Sequence, residues 1–210
     1  MQYTKEDIAA LDRISRLKII NSVTGVKPAN LIGTINKRGI TNLAVFSSVV
    51  HLGSNPALLG LISRPTTNET GHTYKNITEN EVYTINHIHP EFAKKAHYTS
   101  AKFENTISEF QRCGLTEEYI DNFSAPFVKE SHFKIGMRFK ETIPIPLNGT
   151  MLIIGEIEYI SIPEVATQDG DIDLEKASSV GISGLNSYYE LKKIAQYPYV
   201  RVSEVPEFKY

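Results

Sequence analysis

The turn signals in this chain come too soon after one another for parallel strands. Asn36-Lys37-Arg38-Gly39 separates two strand-like runs, Leu31–Ile35 and Asn42–Val50, and Gly39 supplies the positive φ that a hairpin needs. Gly53-Ser54-Asn55-Pro56 breaks the chain again before the continuous apolar run Ala57–Ile62, which reads as a strand buried on both faces. Further on, Phe133, Ile135, Met137 and Phe139 alternate with polar residues and Gly136. Pro144 and Pro146 end that run, Asn148-Gly149 turns the chain, and Met151–Ile160 returns as its partner. A parallel pair needs a crossover of about a dozen residues, so these connections specify antiparallel pairing. The expected fold is mainly β: one antiparallel barrel of six strands in Greek-key order, decorated with helices.

The remaining segments decorate that barrel. Thr4 and Asp7 form a helix-start pair, and Ile8, Leu11, Ile14 and Leu17 follow at helical spacing, so an N-terminal helix is expected over about residues 4–20. Thr73–Asn80 reads as a short helix and Val82–Ile88 as a strand, while Glu91–Ile120 is helical or irregular. Asp169-Gly170 marks a turn. The tail, residues 181–210, is rich in Tyr and Pro and has no clear period. At 210 residues, a single domain over 1–210 is expected.

Composition narrows function by exclusion. Cys113 is the one cysteine, which rules out an internal disulfide or a multi-cysteine metal cage. Lys+Arg 22 against Asp+Glu 24 leaves net charge −2, which argues against non-specific nucleic-acid binding. No stretch approaches the ~18 apolar residues of a membrane span. The polar start Met1–Asp7 lacks the order of a secretion signal, so a cytoplasmic protein is expected, with no membrane partner.

Several patterns invite a chemical reading. His87 and His89 share a strand face, and with His97 and Glu91 they offer zinc geometry, but polar residues at a strand end explain them better and no metal is expected. Asp169-Gly170-Asp171-Ile172-Asp173 starts like a calcium loop and fails at its sixth and twelfth positions, Leu174 and Val180. Cys113 has no base near it in sequence and reads as a structural thiol. The run Thr41–Val49 ends in small hydroxyl residues, which let a flat ligand approach the main chain. The stretch Arg64–Thr73 joins an arginine and several hydroxyls to a helix start. That suits a phosphate, and equally a solvated loop with Thr73 as the helix cap.

In their order, four stretches give the chain a family resemblance. Asn42-Leu43-Ala44-Val45-Phe46-Ser47, Gly53-Ser54-Asn55-Pro56, His72-Thr73-Tyr74-Lys75-Asn76-Ile77, and Tyr98–Phe103 followed by Glu109-Phe110 and Gly114-Leu115-Thr116 resemble the motifs of the flavin reductase-like family. The resemblance runs from about Pro28 to Tyr189. It implies an FMN-binding split barrel working as a homodimer, with the flavin near the subunit interface. It further implies that Asn42, Phe46, Ser47, Ser48 and Val49 line the flavin ring, partly through main-chain atoms, and that Arg64, His72 and Thr73 hold the FMN phosphate. Ser100 and the tail around Tyr188 are implied to approach from the partner subunit.

Two positions depart from the family pattern. Val45 stands where the family has Pro, and His72 where it has Asp. A histidine beside a phosphate dianion is chemically sound, because negative charge favours its protonated form. The implied activity is hydride transfer from NAD(P)H to flavin, then delivery of electrons to a small-molecule or protein acceptor. The cofactor carries the chemistry, so no catalytic side chain is assigned. The alternatives are an FMN-binding electron carrier of the flavoredoxin type, or a flavin-binding protein without NAD(P)H turnover.

Overall fold

The structure is a computed structural model that describes residues 1–65, 71–120 and 123–208. In chain order its strands are β1 (Lys27–Pro28), β2 (Asn30–Ile35), β3 (Thr41–Phe46), β4 (Val50–Ser54), β5 (Ala57–Ser63), β6 (Val82–His87), β7 (Glu117–Glu118), β8 (Phe127–Val128), β9 (Lys134–Ile145), β10 (Thr150–Ser161), β11 (Thr167–Gln168), β12 (Asp171–Ile172), β13 (Val180–Ser183) and β14 (Ser187–Glu190). The helices are α1 (Lys5–Ala10), α2 (Arg13–Ser22), α3 (His72–Asn80), α4 (Ala93–Tyr98) and α5 (Glu109–Cys113).

The main sheet holds seven strands in the order β3-β2-β6-β9-β10-β5-β4, every pairing antiparallel. Its end strands, β3 and β4, are neighbours in sequence, joined by Ser47–Val49 alone. Seven strands laid flat span about 29 Å at ~4.8 Å each. The link from Phe46 to Val50 reaches at most about 14 Å. The sheet must therefore roll until its ends nearly meet, leaving the split between β3 and β4.

One core fills the roll, drawing Ile32, Leu61, Tyr83, Ile85, Met137 and Ile153 from five different strands. A second core covers the outer face, where Leu31 and Leu43 pack under Phe92, Ala96 and Phe110 of the middle segment. The period of two along β2 separates these cores, with Leu31 outward and Ile32 inward.

Several local expectations change. The expected strand Asn42–Val50 stops at Phe46, and a separate strand, β4, starts at Val50, which raises the six expected strands to seven in the main sheet. Gly53 and Ser54 belong to β4, so the break falls at Asn55-Pro56, a cis peptide bond. β5 is only half-buried because the strand beside it, β4, is an exposed edge. The N-terminal helix is two helices: Thr4 and Asp7 make a capping box for α1, and Asp12 then caps α2 by accepting the Ile14 and Ser15 N–H groups. The tail carries a hairpin, β13–β14, that shows no period in the sequence. Gly39, Asp169 and Gly170 have the positive φ expected of their turns.

Candidate functional site

The site begins with a polar node between strand and helix. Asn42 on β3 is buried, and its amide donates to Thr34 Oγ1 (3.2 Å) and to Thr73 Oγ1 (3.1 Å). Asn76, one turn further along α3, donates to the same Thr34 Oγ1 at 3.1 Å. These bonds satisfy groups shut off from water and fix the start of α3 against β2 and β3. Gly71, with φ +93°, holds the N-cap position, so Thr73 lies inside the helix and is not its cap. The first turn of α3 thus presents main-chain N–H groups beside His72, a setting that favours an anion.

The linker Ser47-Ser48-Val49 crosses the split. Ser48 Oγ accepts the Ile62 N–H and donates to the Ile62 carbonyl, both at 3.1 Å, so one side chain staples the linker to β5. Phe46 and Val49 pack on the inner core. The linker is half-buried. Asn30 sits directly opposite Phe46 in the β2–β3 ladder, and its Oδ1 is buried with no hydrogen-bond partner among the described residues. An orphan acceptor next to a fixed, small-residue linker fits a flat ligand with a polar edge. A polar cavity of about 340 Å³ flanks α3 and reaches both Asn42 and His72.

Arg64 follows β5 and is exposed. The hydroxyls of Thr66, Thr67 and Thr70 lie outside the described residues. Ser100 is placed elsewhere: it follows α4 and donates to the His97 carbonyl at 2.7 Å, while the His97 ring meets Tyr188 edge-on at 5.8 Å. Tyr188 packs against the outer core, so within one chain Ser100 and Tyr188 are not joined to the node or the linker. Sequence reading does not single out Thr34 or Asn30. The period of two that places Ile32 inward also turns these two inward, and that is the signal for them. Asn76 lies in the His72–Ile77 motif, three residues after Thr73.

The other candidate chemistry is tied up internally. His89 donates from Nδ1 to the Ser178 carbonyl (2.9 Å) and accepts the His132 N–H at Nε2 (2.8 Å), which fixes it as the neutral tautomer. His87 bonds Ser179 Oγ at 2.8 Å and stacks on Phe133 at 3.9 Å. Burial, and then His89, push its pKa down to about 4. Burial and Glu109 push the Cys113 thiol up, away from the reactive thiolate. Asp169 and Gly170 turn the β11–β12 hairpin, and Asp173 accepts the Glu175 and Lys176 N–H groups.

A rolled antiparallel sheet whose end strands are bridged by a short polar linker, with a helix start tied beside it, is a split barrel. The chain matches the Flavin reductase like domain over residues 26–172 and belongs to that family. It is 44% identical to a Shewanella frigidimarina NCIMB 400 protein described as a flavin reductase with a split barrel domain, at TM-score 0.90 over 95% of this chain and 100% of that one. It shares the fold of nitrilotriacetate monooxygenase component B from Bacillus cereus, with 18% identity and TM-score 0.82 over 94% of this chain and 98% of that one. The same holds for flavoredoxin of Desulfovibrio vulgaris (Miyazaki F), at 23% identity and TM-score 0.71 over 82% of this chain and 91% of that one. An uncharacterized Aquifex aeolicus (strain VF5) protein is 26% identical over 174 residues, which cover 82% of this chain and 87% of that protein. Among the described residues, no helix is long and apolar enough to cross a membrane.

Proposed function

We propose that this chain is an FMN-binding oxidoreductase that takes hydride from NAD(P)H and passes electrons to a small-molecule or protein acceptor. The observation that carries the reading is the Asn42–Thr73 bond. It makes one rigid frame of the strand that runs into the Ser47–Val49 linker and the helix start that bears His72. A ring against the linker and a phosphate against the helix start would be held by a single unit.

Each residue then has a physical task. Main-chain groups of Ser47, Ser48 and Val49 meet the polar edge of the ring, and Phe46 supports that segment from the inner core. His72, Thr73 and Arg64 supply donors and positive charge to the phosphate. Bound FMN supplies the hydride-accepting and electron-releasing chemistry, and the protein supplies position and field. Ser100 and Tyr188 reach the site from a second subunit, which makes binding depend on the homodimer. The setting is the cytoplasm.

The test is a visible spectrum of the purified protein, followed by an FMN titration and anaerobic mixing with NADH and with NADPH. Saturable binding and rapid bleaching by either nucleotide are expected. Failure to bind any flavin overturns the reading. Flavin binding with no bleaching leaves the electron carrier, a role that the shared fold with flavoredoxin also suits.

A further inference from the structure

The cavity beside α3 carries charge that the flavin reading does not use. It is walled on one side by Lys75 and Glu79 of α3 and on the other by Lys37 and Arg38 at the tip of the β2–β3 turn. Lys75 faces Glu79 at 3.9 Å, so those two charges offset each other. Lys37 and Arg38 have no carboxylate partner among the described residues and stand as the surplus, in a chain whose net charge is −2. The turn that carries them is held in place. Asn36 Oδ1 accepts the Arg38 and Ile40 N–H groups at 2.9 and 3.0 Å, which fixes the turn, and Arg38 donates to Asn105 at 3.4 Å. Two cations without a carboxylate partner among the described residues, Arg38 tethered to Asn105, stand over a polar cavity of about 340 Å³ and make an anion site of small-ligand size.

The cavity shares His72 and Asn42 with the phosphate end of the proposed flavin site. FMN has one phosphate, assigned to His72, Thr73 and Arg64, which leaves Lys37 and Arg38 on the opposite wall for a further phosphate. We propose that the cavity receives the adenylate phosphate of a dinucleotide, with Lys37 and Arg38 as its charge partners, a proposal that rests on the flavin reading for its neighbour. The adenylate has two sources, FAD in place of FMN or the pyridine nucleotide.

The experiment compares the wild type with the Lys37→Gln/Arg38→Gln double variant, changed only on an exposed turn and checked for folding by circular dichroism. Each is titrated with FMN, FAD, ADP and adenosine 2′,5′-bisphosphate, and the KM for NADH and NADPH is measured on FMN-loaded protein. FMN affinity is expected to stay within about twofold, while ADP or the bisphosphate weakens by about tenfold or more. A parallel loss for FAD assigns the adenylate to the flavin. A rise in the NADPH or NADH KM alone assigns it to the pyridine nucleotide. The proposal is overturned if neither adenylate binds the wild type, or if the variant binds both as tightly. Charge-dependent ADP binding by a protein that takes no flavin would remove the flavin reading and leave the cavity assignment standing.

Discussion

The side-chain amide of Asn42 and the hydroxyl of Thr73, 31 positions apart in sequence, meet at 3.1 Å in a buried contact that ties the edge strand to the start of α3. Removing the amide orphans the Thr73 hydroxyl, whereas Thr34 keeps the bond from Asn76. Asn42→Ala is expected to cost about 1–3 kcal/mol of stability. A cycle with Thr73→Val, read by urea denaturation, is expected to show coupling of about 1 kcal/mol. Additive losses would mean that the two residues act independently.

Glu109 covers the free side of the same edge strand. Its carboxylate, buried on α5, accepts the Leu43 N–H at 3.0 Å and does what a neighbouring strand would do. Burial raises its pKa, against the pull of that hydrogen bond. With the folded pKa above the unfolded one, its contribution is fullest at acid pH and falls as pH rises through the folded value. Glu109→Gln keeps an acceptor and removes the charge, so stability at pH 7 is expected to hold or rise. Glu109→Leu leaves the N–H orphaned and is expected to cost about 1–3 kcal/mol. Equal melting temperatures for the two variants would contradict this account.

The strands were legible because their signals are local. Period-two alternation marks Phe133–Phe139, and Asn148-Gly149 marks the turn that pairs it with β10. Ser47-Ser48 mark an end to the first strand, but nothing in Asn42–Val50 shows that a second strand starts at Val50. The break comes from β3 and β4 lying at opposite ends of the sheet, a property of the whole topology. The same holds for the site. Asn42 and Thr73 can each be marked as polar residues near a strand and a helix start, but their meeting depends on how α3 docks. The break at Asp12 was hidden because Ile8, Leu11, Ile14 and Leu17 keep a helical step through it, while Asp12 makes the better cap.

Acid is expected to loosen the join between the barrel and the segment before β13. His87 and His89 bond Ser179 and Ser178, and burial is the leading cause that lowers both pKa values, that of His87 to about 4. With the folded pKa below the unfolded value, both states are neutral above about pH 6.5 and no effect is expected there. Below that, the unfolded chain takes up protons first, so stability falls as pH drops toward 4, by up to about 1.4 kcal/mol per unit from His87, and His89 acts in the same direction. Urea denaturation at pH 7.5, 6 and 5 measures the slope, and His87→Gln is expected to flatten it. A slope unchanged in that variant would place the acid sensitivity elsewhere.

Inside the barrel, Tyr83 and Gly155 are matched in size. A β carbon on Gly155 would overlap the Tyr83 hydroxyl oxygen, at a strand position where the β9–β10 register shifts. That oxygen is buried and has no hydrogen-bond partner among the described residues. Burying an unpartnered hydroxyl is costly, so Tyr83→Phe is expected to be neutral or stabilising. Gly155→Ala puts a methyl group where Tyr83 now sits, and overpacking of this kind costs about 1–3 kcal/mol or more. The double variant removes the atom that the methyl meets first and is expected to recover part of that loss. The Arg138 carbonyl, 3.1 Å from the same β carbon, keeps the recovery incomplete. Thermal melts of the three variants decide it. A Tyr83→Phe protein markedly less stable than the wild type would show that the hydroxyl is satisfied after all, with the glycine retained for the bulge and not for the ring.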